Sequence, residues 1–430
     1  MDNEKRIRGS QYEGDESLLS VRIPNGILSI GDFAYERCCN MHSLRIPDSV
    51  EYIGTGAFHE CSKLKRIVIP SSVKELSAFV FRKCSRLERV QIMGDSIILG
   101  PEVFSYCWSL REINLPSTIT EIPNGIFWGC DQLTKIDLGA NVVSIGDNAF
   151  CECEALENIT LPPALEHIGK EVFSGCINLR RIEIPDGVTI IHEGSFTGCV
   201  KLKCVILSRK LCEIQNNAFL SCIKLDAIDI PDTVSHIGSQ AFGFCVKLRH
   251  INIPTSVISL SSDIFKGNKR LKSGRLPPNL IDLNFQVFDG AVKLNNLYFP
   301  DSIREITGDP CLPVDINTIS IPSVYFDEQE RVRLDSLDTC YIRFNDDFCG
   351  VSEFIIRELQ GVEPKEEPDY EITRVSVNEL KIFERILLVL QSVFDINSVG
   401  SGLELTVELI WPCLSYENAK VAIDIEEVDD

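Results

Sequence analysis

Ten cysteines recur at an unbroken spacing of 23 residues: Cys38, Cys61, Cys84, Cys107, Cys130, Cys153, Cys176, Cys199, Cys222 and Cys245. Thiols in such number could bind metal, form disulfides, act as nucleophiles or pack. Zinc needs four ligands converging as a tetrahedron, commonly from closely spaced pairs. Cys38-Cys39 and Cys151-Glu152-Cys153 are the closest pairs, and neither has a second pair at zinc spacing. Disulfides would need Cα atoms roughly 4.4–6.8 Å apart, which neighbouring repeats could supply. Yet Asn268 and Ala291 fill the same slot later in the chain, so the position selects a small residue. Free cysteine behaves as a small hydrophobe, and packing is the reading favoured here. The six histidines, His42, His59, His167, His192, His236 and His250, fall at variable positions. No Ser/His/Asp grouping, phosphate loop or H-E-x-x-H accompanies them, so catalysis is not expected, nor any cofactor.

The elements that position these thiols are themselves repeated. Leu64, Leu87, Leu110, Leu133, Leu156, Leu179, Leu202, Leu225, Leu248, Leu271 and Leu294 follow in the same register, which extends back to Met41 and Leu18. Thirteen copies of L-x-x-I-x-I-P therefore run from Leu18 to Pro300, and a fourteenth, Ile316–Pro322, arrives one residue early. In Leu64–Pro70 the apolar Ile67 and Ile69 alternate with Arg66 and Val68, a short strand buried on one face and ended by proline. Val73 and Leu76 point inward from a second extended piece, as do Val50 and Ile53 one unit earlier. Glycine then allows a reversal, and Ala57, Phe58 and Cys61 share the spacing of about one helical turn.

A single such coil cannot bury its own apolar side, whereas stacked coils form a continuous core. Strands of successive coils would lie about 4.8 Å apart in a parallel sheet, with phenylalanine, leucine and cysteine ladders inside. The sequence therefore predicts an α/β repeat solenoid with a stacked parallel sheet and a small α+β region at the C-terminal end. Residues 1–17 read as a polar N-terminal cap, 18–322 as a solenoid of about 14 coils, and 323–430 as an acidic cap or small module. Units such as Val234-Ser235-His236-Ile237-Gly238-Ser239-Gln240-Ala241-Phe242-Gly243-Phe244-Cys245 resemble the BspA-like, or Treponema-type, leucine-rich repeats. The resemblance covers residues 18–322. It implies a leucine-rich-repeat horseshoe that binds protein rather than a catalyst, and many members of that family look like surface antigens acting as adhesins.

On that architecture the outward positions of the strand face are the two flanking the middle apolar residue. They include Arg22, Arg45, Arg66, Val68, Arg89, Gln91, Glu112, Asn114, Lys135, Asp137, Arg181, Glu183, Ile206, Asp229, His250, Asn252, Arg275 and Tyr298. Arg22, Arg45, Arg66 and Arg89 would cluster at one end, and Cys204, Ile206 and Ala227 would form an apolar patch midway. A protein partner read by this face is the expectation, with an adhesin as the alternative and an enzyme in the tail as a third reading.

Charge narrows the partners. The net charge of −21 argues against nucleic acid or an anionic membrane, either of which needs a basic footprint. Residues 323–430 hold 25 Asp and Glu against 9 Lys and Arg, so most of the acidity belongs to the tail. There, Val351–Leu359 has apolar residues at helical spacing, 361–369 reads as a linker, and Ser376–Glu379 is a capping box before a helix reaching Phe394. Residues 395–402 read as a turn, 403–410 as a strand and 424–430 as a disordered acidic tag. The longest apolar run, Ile386–Leu390, is far shorter than the roughly 20 residues a membrane helix needs. No signal peptide is visible, so a monomer in a reducing, cytoplasmic setting is expected, or a cell-surface protein exported by a non-classical route. The sequon at Asn158 reads as chance.

Overall fold

In each coil the alternating L-x-x-I-x-I segment becomes a short front strand, and the later apolar pair becomes a back strand. The computed structural model describes residues 5–291 without a break. Beyond them it describes Pro300, Ser302 and the strands Asn296–Tyr298, Glu305–Thr307, Thr318–Pro322, Glu353–Leu359, Tyr370–Ser376, Phe394–Ile396 and Val407–Leu409. The chain divides into two compact units, Met1–Thr233 and Val234–Asp430.

In the first unit the front strands are Ser20–Arg22, Ser43–Arg45, Arg66–Ile69, Arg89–Ile92, Glu112–Ile113, Arg181–Glu183 and Cys204–Ile206. They pair parallel one repeat apart, as in Arg22 with Arg45, Val68 with Gln91 and Glu183 with Ile206. The front ladder has gaps. Residues 133–139 carry no strand, and Ser43–Arg45 and Arg66–Ile69 belong to separate ladders. Back strands Ser29–Ile30, Tyr52–Ile53, Glu75–Leu76 and Ile98–Leu99 pair in order, with Arg6–Ile7 added at the edge. Side chains at Val50, Ile53, Val73 and Leu76 are buried, as their spacing predicts.

The core is a set of ladders. Tyr12, Tyr35 and Phe58 through Phe219 occupy one column, with ring centroids 4.9 Å apart at Tyr12–Tyr35 and 5.5 Å at Phe58–Phe81. The rings lie nearly parallel, tilted by 1° at Phe81–Phe104. In the second unit Phe242, Phe265 and Phe288 continue the pattern at 6.3 and 6.2 Å.

The turn between back and front strands is not helical, and the described residues contain no α-helix. The coils form a parallel β-solenoid rather than the expected α/β layer; a 3-10 helix, Phe285–Phe288, occupies the turn of one coil. The reason lies in two left-handed residues four apart in nearly every coil. Examples are Phe33 and Arg37, Gly56 and Glu60, Phe79 and Lys83, and Gly125 and Gly129. A left-handed residue breaks α-helix propagation. Between the two, N–H groups alternate in direction. Ala57, His59 and Cys61 donate back three residues to Gly54, Gly56 and Phe58. Gly56, Phe58 and Glu60 instead donate forward to Ala78, Val80 and Arg82 of the next coil. This segment is thus a third ladder, invisible to a 3.6-residue periodicity.

In the second unit the front strands Ser273–Arg275, Asn296–Tyr298 and Thr318–Pro322 pair parallel. Asn296 faces Thr318, 22 residues on, which accommodates the early fourteenth copy. Glu353–Leu359, expected to be helical, is a strand. It pairs parallel with Thr318–Pro322 and antiparallel with Tyr370–Ser376. An open strand edge on one side and a return strand on the other outweigh helical spacing over so few residues. Val407–Leu409 lies within the predicted strand and pairs antiparallel with Phe394–Ile396, so Asp395 and Ile396 belong to a strand rather than a turn. The linker 361–369, residues 377–393 of the helix expected to reach Phe394 and the acidic tag 424–430 lie outside the described residues; Phe394 itself begins a strand, set by its pairing with Leu409.

The left-handed positions make a stability prediction. Gly129 has φ +68°, and a Cβ there would stand 2.7 Å from the Tyr106 ring. Gly139, with φ +76°, has open space around it. Gly129→Ala is expected to destabilise the protein by more than the roughly 1–2 kcal/mol of left-handed strain alone, and Gly139→Ala by no more than that strain. Denaturant or thermal melts of the two variants check the order.

Candidate protein-binding face

The cysteine column has a function that its spacing did not disclose. Each register thiol is buried, and from Cys38 to Cys222 its Sγ–H points at the backbone carbonyl of the aromatic residue one coil back. Cys61 donates to Tyr35, Cys84 to Phe58, Cys107 to Phe81 and Cys130 to Phe104, each at 3.2 Å. Cys153, Cys176, Cys199 and Cys222 repeat the contact with Phe127, Phe150, Phe173 and Phe196. The column therefore packs as expected and also supplies weak hydrogen-bond donors. Asn268, in the same slot, is buried with neither amide atom bonded.

Burial raises the thiol pKa values along this column, to about 11 at Cys38, where desolvation is the main cause. Cys61, Cys107, Cys153 and Cys176 are pushed well above the ordinary value, again chiefly by burial. Thiols held protonated are poor nucleophiles and poor metal ligands. Among the described residues no group of three or more His, Cys, Asp or Glu could hold a metal. Histidines form local pairs: His59 Nδ1 is 3.1 Å from Glu36, and His167 meets His192 edge-on at 5.1 Å. No helix among the described residues is long and apolar enough to cross a membrane.

The front face remains. Arg22, Arg45, Arg66, Val68, Arg89, Gln91, Glu112, Asn114, Lys135, Asp137, Arg181, Glu183, Ile206, Asp229, His250 and Asn252 are all exposed. Arg275 and Tyr298 lie opposite one another in register, and their side chains are outside the described set. Register brings Arg22 against Arg45 and Arg66 against Arg89. Arg89 also meets Glu112, with Nε 3.2 Å from the carboxylate. Asn114 turns back to the sheet, its amide bonding both backbone groups of Ile92. Lys135 and Asp137 sit in the strandless stretch 133–139.

Two grooves open on this face. One of about 510 Å³ lies over the seam between Ser43–Arg45 and Arg66–Ile69, lined by Arg45, Asp48, Arg66, Val68, Ser71 and Met93 among others. The other, of about 760 Å³, is lined by Asn158, Thr160, Arg181, Glu183, Ile206 and Arg209 among others. There Arg181 is 3.5 Å from Glu183 and contacts the half-buried Cys204 at 3.7 Å. Met93, Asp48 and Arg209 are lining residues that sequence reasoning missed. Met93 carried a signal, since it stands where most units have the corner proline.

Stacked coils with a parallel front ladder and a buried aromatic column define a leucine-rich-repeat solenoid. The BspA type leucine rich repeat region matches residues 5–134, 120–234 and 212–328, and the chain belongs to that family. It is similar to a leucine-rich repeat protein from Bacteroides ovatus ATCC 8483 at 27% identity, over 79% of this chain and 92% of that one, with a TM-score of 0.60. It also resembles a leucine rich cell surface protein from Faecalibacterium prausnitzii A2-165 at 24% identity, over 71% of this chain and 82% of that one, with a TM-score of 0.44. No curated protein matches the chain at a comparable level.

The raised thiol pKa values carry a sign. A thiol whose folded pKa exceeds its unfolded value contributes stability that is complete below the unfolded pKa and lost as pH rises through the folded one. With Cys38 moved from 9.0 to about 11 and Cys61, Cys84, Cys107, Cys130, Cys153, Cys176 and Cys199 displaced the same way, the melting temperature should fall progressively above pH 9. Melts across the alkaline range check this. Iodoacetamide should label the exposed Cys212 in native protein and reach the register cysteines only after unfolding.

Proposed function

We propose that this protein is a non-enzymatic binding scaffold that recognises a protein partner on its front face. The observation that supports the reading most is the contrast between the two sides of each front strand. In the first unit inward positions repeat Ile, Leu or Val coil after coil, while outward positions change identity and, apart from the half-buried Cys204, are exposed, with two grooves among them. Varied, solvent-facing side chains on a rigid repeated backbone suit recognition, because the fold places no demand on their identity. Family membership favours a second reading, a cell-surface adhesin, which would use the same face in a different compartment.

Partner binding can be compared across front and back substitutions once the partner is captured from the native source. Val68→Asp, Glu183→Arg and Ile206→Asp should each weaken the complex by about tenfold or more, or about 1.4 kcal/mol, while Lys170→Ala, in the turn after the back strand His167–Ile168, should not. Equal affinities across the set would remove the front face from the interaction. Proteolytic shaving of intact cells separates the two compartments, because only a surface protein loses its repeats.

A further inference from the structure

We infer that the seam groove between Ser43–Arg45 and Arg66–Ile69 takes an extended acidic peptide segment carrying a neighbouring apolar side chain. The inference rests on the front-face reading above and names the partner chemistry at one end of it. Arg22 stands directly opposite Arg45 in the ladder, and Arg66 directly opposite Arg89. Like charges facing across paired strands are destabilising, and solvating a sheet face does not call for them. Elsewhere on this face cations find acids: Arg89 meets Glu112 and Arg181 meets Glu183. Arg22, Arg45 and Arg66 make no ion pair among the described residues, although Asp48 lines the same groove. Two unpaired guanidiniums, Arg45 and Arg66, therefore line one groove, with Arg22 beside Arg45 in the ladder, and are free for bidentate carboxylate bonds.

The groove also has an apolar side. Val68 is 51% exposed and Met93 54% exposed, and both line it together with Arg45 and Arg66. An apolar rim beside cations suits a peptide, which offers carboxylates and aliphatic side chains at alternate positions of an extended chain. A nucleic-acid backbone would leave the apolar rim unused and would call for a longer basic track. The negative charge of the whole chain further disfavours long polyanions, whereas a segment with a few carboxylates senses mainly the local arginines at physiological ionic strength.

The test uses the full-length protein and a fluorescein-labelled peptide containing Glu-Leu-Glu-Val-Glu, compared with its Gln-Leu-Gln-Val-Gln counterpart by fluorescence anisotropy. The glutamate peptide should bind about tenfold tighter or better. That preference should vanish in Arg45→Glu/Arg66→Glu and survive in Arg181→Glu, with circular dichroism confirming the fold of each. The milder Arg45→Gln/Arg66→Gln should lower the preference part-way and keeps the test open if charge reversal disturbs folding. Equal binding of the two peptides, or a preference untouched by either double variant, overturns the assignment. So does equal or tighter arginine-dependent binding of a short oligothymidylate or of phosphatidylserine vesicles. If the acidic preference is absent while Ile206→Asp still breaks the native complex, only this assignment falls. If no front substitution affects that complex, the front-face reading falls with it.

Discussion

The carbonyl of each ladder aromatic is where one coil is tied to the next. Phe58 O accepts the N–H of Cys61 in its own turn and the thiol of Cys84 from the following coil. The N–H of Phe58 runs forward to Val80. Both partners sit at fixed chain distances, so an insertion between the aromatic and the next thiol that is not looped out would displace the thiol contact, the forward backbone bond and the ring stack together. This favours a constant repeat length across the coils that share these contacts. It also gives cysteine an advantage over alanine at the slot. A thiol fills the space of a small hydrophobe and still offers the carbonyl a second donor, at less desolvation cost than a hydroxyl or amide.

The same turn carries a cost that charged side chains partly offset. Arg37, Glu60 and Lys83 all hold left-handed backbone, which costs a non-glycine residue about 1–2 kcal/mol. They stand one above another on successive coils. Arg37 Nε is 3.1 Å from Glu60, and Lys83 Nζ is 2.9 Å from the same carboxylate. The Lys83 hydrogen bond, helped by that from Arg37, holds the Glu60 carboxyl below its ordinary pKa against the opposing effect of burial. Other coils meet the same demand with glycine, as at Gly129, Gly175 and Gly198. Two chemically unlike solutions at one position made the left-handed site hard to see in the sequence.

Strand positions, buried columns and the proline corners were legible because each depends on side-chain type at period two or at the repeat length. The turn was misread as helical because Ala57, Phe58 and Cys61 have helical spacing, and spacing says nothing about the sign of φ at Gly56 and Glu60. The strand Glu353–Leu359 was misread for a related reason. Its conformation is set by pairing with Thr318–Pro322 and Tyr370–Ser376, and those partners cannot be read from the segment itself. On the front face the exposed positions followed directly from alternation. The seam between Ser43–Arg45 and Arg66–Ile69 did not, because a continuous repeat gives no sign of where its ladder parts.

What alternation could not supply was a reason to prefer one exposed residue over another, and the register supplies it. A face that only needs water will accept charges in any order, and opposite charges in adjacent coils stabilise it slightly. Arg89 with Glu112 follows that rule. Arg22 against Arg45 and Arg66 against Arg89 break it twice within four consecutive coils. Local choices that oppose stability without serving the core mark places where a sequence answers to something other than its fold. By that criterion the seam arginines are more informative than the cysteines. The thiols repeat because coil after coil makes the same bond, whereas Arg22, Arg45 and Arg66 stand without an ion pair among the described residues and are open to an outside group.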